Sequence, residues 1–253
     1  MTISSKDWGR YVEALSRISR QAASDLLRFV SQRGGLAAID RRVLLYYAFA
    51  LASKYGEASA SLAAVWYDEL AAAAGQTLPA AQVAGTATYA ETAKTVNGVL
   101  KVSRNEEMLA GAMERLVKMP GADTTLNNAI RDGAEVAWVP HGDTCAFCFA
   151  LASRGWVPAS RKLVQNGHAE HIHANCDCTY AVRYDDSTRV AGYDPRRYRE
   201  MYDDAPGGSS TEKINAMRRA FYAENREEIN AQKRSAYEKR KELNSSAAEE
   251  AEA

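Results

Sequence analysis

The chain has 253 residues, of which 46% are hydrophobic and 25% charged, the ordinary proportions of a globular protein with one domain or two small ones. Its 32 basic and 32 acidic side chains cancel, which excludes attraction of the whole molecule to nucleic acid or to a membrane surface and leaves only local interactions of that kind. No apolar run approaches the roughly 20 residues that cross a bilayer.

The opening MTISSKDWGR has no apolar core and does not read as a secretory signal. The expected setting is a cytoplasm, where thiols stay reduced and clustered cysteines point to metal or catalysis before disulfides. From Trp8 to Gln32 the apolar residues Val12, Leu15, Ile18, Ala22, Leu26, Phe29 and Val30 make a helical stripe that ends at Gly34-Gly35. Asp40 is placed to cap a second helix through Leu44, Leu51 and Tyr55, and a third is expected after Gly56, through Leu62, Trp66 and Leu70 to Gly75. Alanine is dense over 79–87 and favours helix. Residues 86–96 are ambiguous, and Asn97-Gly98 marks a turn. A helix is predicted over 105–118, broken by Pro120-Gly121, with another opening at Asp123 or Thr124 and running through Leu126 and Ile130. Residues 1–133 thus form a mainly helical region.

The texture changes at Val136. AWVPHGDTCAFC is a short apolar run, a turn and a cysteine pair, and it opens a small α+β module over 134–205. Asp143 or Thr144 can cap a short helix, 146–154, that Gly155 terminates. Residues 178–184 alternate with the period of an edge strand, and Asp185-Asp186-Ser187 and Asp194-Pro195 read as polar turns. Pro206-Gly207-Gly208-Ser209-Ser210 reads as a linker to a long charged helix, 206–244, and residues 245–253 as a disordered acidic tail. The fold class expected overall is α+β.

All four cysteines and all four histidines fall between His141 and Cys178. Cys145-x2-Cys148 is a knuckle that can offer two thiolates to one metal, and His173-x2-Cys176-x-Cys178 can complete a tetrahedron. Five good donors are present, Cys145, Cys148, His173, Cys176 and Cys178, and zinc suits their mixed thiolate and imidazole chemistry. Reduced buried thiols in a small core, or a disulfide, are the alternatives. A closed four-ligand site would be structural and not catalytic.

Other chemistry is poorly supported. His168-Ala169-Glu170 copies the His-x-Glu of zinc deaminases, but in that signature the Cys-x2-Cys follows it, whereas here it comes first. A metal-stabilised DNA-binding protein or an HNH-like nuclease is the competing class, since such enzymes combine cysteine knuckles with a His-rich hairpin. No catalytic His is paired with a downstream Asn or His on a short helix. Nor is there a phosphate-binding glycine loop or a nucleophile elbow. Asp203-Asp204 reads as a solvated turn.

Trp138, Asp143-x-Cys145-x2-Cys148, Leu151, Ala152-Ser153-Arg154-Gly155 and His173-x2-Cys176-Asp177-Cys178 together resemble the C-terminal signature of phage Mu F-like minor head proteins. These are also called phage head morphogenesis or minor capsid proteins. The resemblance covers 134–184 well and the helical region in character alone. It implies a virion component and not an enzyme. Such a protein enters the phage head interior in few copies during procapsid assembly in the host cytoplasm, near the portal, with portal and major capsid or scaffold proteins as partners and a role in DNA packaging or ejection for some relatives.

The charged C-terminal helix carries Arg218, Arg219, Arg226, Lys233, Arg234, Lys239, Arg240 and Lys241 with Phe221, Tyr222 and Tyr237 between them. That face can contact the phosphates of double-stranded DNA and stack bases. The same residues also read as a solvated helix balanced by Glu224, Glu227, Glu228, Glu238 and Glu242 in i, i+4 pairs, the simpler reading.

Overall fold

The computed structural model describes residues 1–102, 105–141, 145–161, 163, 177–224, 226–227, 230–231 and 234. In chain order they form β1 (Thr2–Ile3), α1 (Ser5–Ser31), α2 (Arg41–Ala73), α3 (Tyr89–Val102), α4 (Glu106–Arg131), β2 (Glu135–Val139), α5 (Ala146–Ala152), β3 (Val157–Pro158), β4 (Thr179–Arg183), β5 (Arg189–Val190), α6 (Pro195–Asp203) and α7 (Ser210–Glu224). Helix dominates, with a small sheet, as α+β implies. No helix among the described residues is long and apolar enough to cross a membrane.

Local chemistry sets the helix starts. The Ser4 hydroxyl accepts the Asp7 amide at 3.1 Å and opens α1. α1 then buries Val12, Ala22, Leu26 and Val30, and partly covers Leu15, Ile18 and Phe29, as the periodicity predicts. The Asp40 carboxylate accepts the Arg42 and Val43 amides at 2.9 and 3.2 Å and opens α2. Thr88 and Glu91 form a reciprocal capping box at α3: Glu91 Oε2 accepts the Thr88 amide at 2.8 Å, and Thr88 Oγ1 accepts the Glu91 amide at 3.2 Å.

Three expected breaks are absent. α2 runs unbroken through Gly56, α4 through Pro120-Gly121, and α3 through Asn97-Gly98. At the first two, the small residues serve a close approach between helices. A β-carbon on Gly56 would stand 3.1 Å from Thr86 Cγ2 and 3.3 Å from Pro120 Cγ. One on Gly121 would stand 2.6 Å from Ser59 Oγ and 3.3 Å from the Ser59 carbonyl oxygen. Pro120 removes the amide that would bond to the Leu116 carbonyl. Tertiary packing across this crossing outweighs that local cost.

The alanine-rich stretch 79–87 is irregular and not helical. Its backbone is satisfied by side chains of α4 instead of by its own turns. The Gln82 amide donates to Asn128 Oδ1 at 2.9 Å, Asn128 Nδ2 donates to the Gln82 carbonyl at 2.8 Å, and the Ala84 amide donates to Thr124 Oγ1 at 2.9 Å. The Arg131 guanidinium holds the Ala80 and Pro79 carbonyls at 3.0 and 2.9 Å.

β2 is the centre of a three-stranded antiparallel sheet, order β3-β2-β4, with Trp138 opposite Tyr180 and Val136 opposite Val182. β4 is an edge strand, but both its faces are buried. On one face Val136, Trp138, Tyr180 and Val182 join Leu126, Ala129 and Tyr67. On the other Ala137, Val139 and Ala181 join Trp8, Tyr11 and Val12 of α1. The chain's first residues pair in parallel with β5, Thr2 with Arg189 and Ile3 with Val190. A third cluster, built on Leu26, Leu44, Leu109 and Val117, lies between the helices.

Asp194-Pro195, read as a turn, instead opens α6: Asp194 accepts the Arg196 amide at 3.0 Å and Pro195 sits where a missing amide costs nothing. The glycine-rich connection after it ends in a second capping box. Ser209 Oγ accepts the Glu212 amide at 3.3 Å, and Glu212 Oε2 accepts the Ser209 amide at 3.0 Å. α7 buries Ala216 and leaves Phe221 and Tyr222 nearly half exposed, in keeping with its sparse apolar positions. Residues 226–227, 230–231 and 234 are helical too; the remainder of the expected charged helix and the acidic tail lie outside the described residues.

Candidate functional site

The signature residues gather around β2, α5 and β4. Trp138 stands edge-on to Tyr180, ring centroids 4.9 Å apart. Cys145 is the N-cap residue of α5 and Cys148 lies in its first turn, 1% exposed. Cys178 immediately precedes β4 and is 5% exposed. Cys148 and Cys178 belong to the same apolar cluster as Trp138, Leu151 and Tyr180, and Cys145 packs against it.

Three of the five expected donors, Cys145, Cys148 and Cys178, are thus parts of one core. His173 and Cys176 lie outside the described residues, as do Asp143, His168, Glu170 and His171. Among the described residues no group of three or more His, Cys, Asp or Glu side chains is disposed to hold a metal ion, so the three described cysteines do not make such a group by themselves. His141 lies near α1: a β-carbon on Gly9 would lie 3.9 Å from its Cε1.

The sequence reading gave Asp177, between the last two cysteines, no role. It links the module to both long helices beneath it. Its carboxylate accepts the Ser16 hydroxyl of α1 at 2.5 Å and meets Lys118 Nζ of α4 at 3.4 Å and Arg20 of α1 at 3.6 Å. Lys118, 10% exposed, also pairs with Glu114 at 3.5 Å. Burial opposes ionisation of Asp177, but the Ser16 hydroxyl and the Lys118 and Arg20 cations outweigh it and hold the carboxyl below the usual aspartate range. One signal in the sequence pointed here: Ser16 and Lys118 are polar residues at positions where α1 and α4 face the core.

Further contacts fix the module's shape. Arg183 of β4 brings Nε and Nη2 to the single oxygen Oε2 of Glu135 on β2, at 2.6 and 2.5 Å, and lies 5.0 Å from the Trp156 ring centroid. Gly155 adopts φ +68°, and a β-carbon there would meet Pro195 at 3.3 Å, so the turn after α5 requires glycine twice over. Tyr193 Oη donates to the Ala152 carbonyl at 2.8 Å. An open recess of about 640 Å³ between α5, α6 and α7 is lined largely by apolar side chains, among them Phe149, Tyr198, Met201, Met217 and Phe221. The described cysteines are not part of its lining. What the geometry supplies around the signature is cohesion: the strand carrying the last cysteine is tied by charge to both helices beneath it.

No curated protein and no solved structure matches the chain. A family model described as VG15 protein matches residues 2–205. The match begins at β1, runs through the helices and the cysteine-bearing module, and ends just after α6. The two parts that pack together are therefore matched as one unit, and the chain belongs to the VG15 protein family, a family of viral gene products.

Proposed function

We propose that this phage protein is a minor capsid, or head morphogenesis, protein of the Mu F-like kind: a low-copy virion component that acts in procapsid assembly near the portal. The observation that carries the reading is the family match to viral gene products over the same span that holds the Trp138, Cys145-x2-Cys148 and Cys176-Asp177-Cys178 signature. The architecture supports it. Helices with broad surfaces are joined to a small module by a two-sided sheet and an ion-pair hub, a build suited to contacts with other head proteins. Portal, capsid and scaffold proteins are the partners this reading assigns, with the head interior as the location.

Mass spectrometry of purified phage particles and of procapsids tests it. The chain is expected in both, in far fewer copies than the major capsid protein, and heads assembled without it are expected to be defective. Its absence from procapsids and particles, or normal infectious heads in a knockout, overturns the reading.

In the same proposal, zinc closes the module through four of Cys145, Cys148, His173, Cys176 and Cys178. The donor chemistry suits it, and Cys145, Cys148 and Cys178 already share one cluster. The metal would then be structural, contributing folding energy. Elemental analysis of purified protein is expected to give about one zinc per chain, lost in Cys145→Ser together with thermal stability. Fully folded protein without zinc sinks this part and leaves the assembly role standing.

A further inference from the structure

Only six of the 33 residues of α2 are charged, and a helix that is apolar over most of its circumference is normally covered. Its inner faces are covered: Leu44, Ala48, Leu51, Ala60, Ala63 and Tyr67 are buried. Its outer face is not. Val43 is 40%, Tyr46 64% and Val65 55% exposed, and Ala50 and Ala58 are exposed between them. Tyr89, its ring tilted against that of Tyr46 with centroids 5.1 Å apart, adds to this surface.

The charges on the exposed side of α2 are segregated by sign. Arg41, Arg42 and Lys54 lie in its first half; Glu57, Asp68 and Glu69 lie in its second. Such a face complements itself when reversed. In an antiparallel pair with a two-fold axis between Tyr55 and Gly56, one register brings four matches at once. Arg42 meets Glu69 of the second copy, Lys54 meets Glu57, Tyr46 meets Val65, and Ala50 meets Ser61. The small residues Ser53 and Ala58 also oppose each other near the axis, where close approach of two helices requires small side chains. A parallel pair would set like charges together instead. At 33 residues, α2 offers a seam about 50 Å long.

We propose that the outer face of α2 is a self-association surface, and that its partner is a second copy of this chain docked antiparallel along the same helix. The charge segregation selects this occupant, because four of the six charges meet an opposite charge on the reversed helix, while Arg41 and Asp68 bond within the chain, to Asn97 Oδ1 and the Ala81 amide.

Light scattering and sedimentation of the full chain over a range of concentrations test the idea. A reversible dimer of twice 27.7 kDa is expected. Lys54→Glu and Glu57→Lys each create two like-charge contacts per dimer and are expected to weaken self-association about tenfold or more. Mixing the two variants is expected to restore it, since every contact in the mixed dimer is again opposite in sign. The double variant K54E/E57K is expected to restore it as well. All these positions are exposed, and circular dichroism checks that each variant stays folded. A monomer at every concentration, a dimer indifferent to both single variants, or a mixture no tighter than its components overturns the proposal.

Discussion

Replacing Gly121 by alanine is expected to destabilise the protein by about 1–3 kcal/mol, although the same change in an open helical position stabilises. The two effects have opposite signs and can be separated. Alanine gains up to about 1 kcal/mol of helix propensity over glycine. At Gly121 the added methyl would stand 2.6 Å from Ser59 Oγ and 3.3 Å from the Ser59 carbonyl oxygen. The hydroxyl can rotate away, but the carbonyl belongs to the backbone of α2, so the two helices must move apart along the crossing. A well-packed crossing resists that, and overpacking wins. Gly98, inside α3 with nothing within 4 Å of an added β-carbon, is the matched control: Gly98→Ala is expected to stabilise. Ser59→Ala in the Gly121→Ala background is expected to recover part of the loss, because it removes the 2.6 Å contact and leaves the 3.3 Å one. Urea or thermal unfolding measures all three. A Gly121→Ala protein as stable as Gly98→Ala would show that α2 and α4 do not cross this closely.

The second large effect is expected at Asp177. Asp177→Asn keeps the shape and can still accept the Ser16 hydroxyl, but it removes the negative charge that Lys118 and Arg20 face. A loss of about 1.5–3 kcal/mol at neutral pH is expected, the range for hydrogen bonds to charged groups. The pH dependence distinguishes this from a general packing defect. The folded-state pKa of Asp177 is lowered, so its contribution is whole above the unfolded aspartate value of about 3.9 and disappears as pH falls through the lower folded value. The gap between wild type and variant is therefore expected to narrow in acid. Asp186→Asn is the contrast: its pair with Arg183 is 94% exposed on the aspartate side, and removing it is expected to change little. Equal stabilities at neutral pH, or a gap that persists unchanged in acid, would remove Asp177 from its place as the tie between the cysteine module and the helices.

Asp177 also links the two kinds of evidence for function. The signature that resembles phage head proteins includes the Asp between the last two cysteines, yet nothing in the spacing says what it does. In the fold, Asp177 reaches α1 and α4 together, and β1 pairs with β5 of the module. The helices and the module are thus fastened at two places, in keeping with a family match that does not stop between them.

Where a residue's effect is local, the sequence alone was sufficient. The apolar stripe of α1, the Asp40 cap, the edge strand within 178–184 and the stop at Gly155 follow from periodicity, capping and left-handed backbone geometry, each set within a few neighbouring residues. The clustering of Cys145, Cys148 and Cys178 around one module was legible for the same reason. What only the tertiary structure decided are the places where a distant partner reverses a local preference. Gly56, Pro120 and Gly121 look like helix breakers until α2 and α4 are seen to cross there, where the bare glycines let Pro120 and Ser59 approach closely. The alanines of 79–87 favour helix until Asn128, Thr124 and Arg131 satisfy their backbone groups along another element. Asp177 is one charge among 64 until folding sets two cations and a hydroxyl around it. Propensity is worth at most about 1 kcal/mol per residue, and such contacts, formed only when the chain is closed, are large enough to override it.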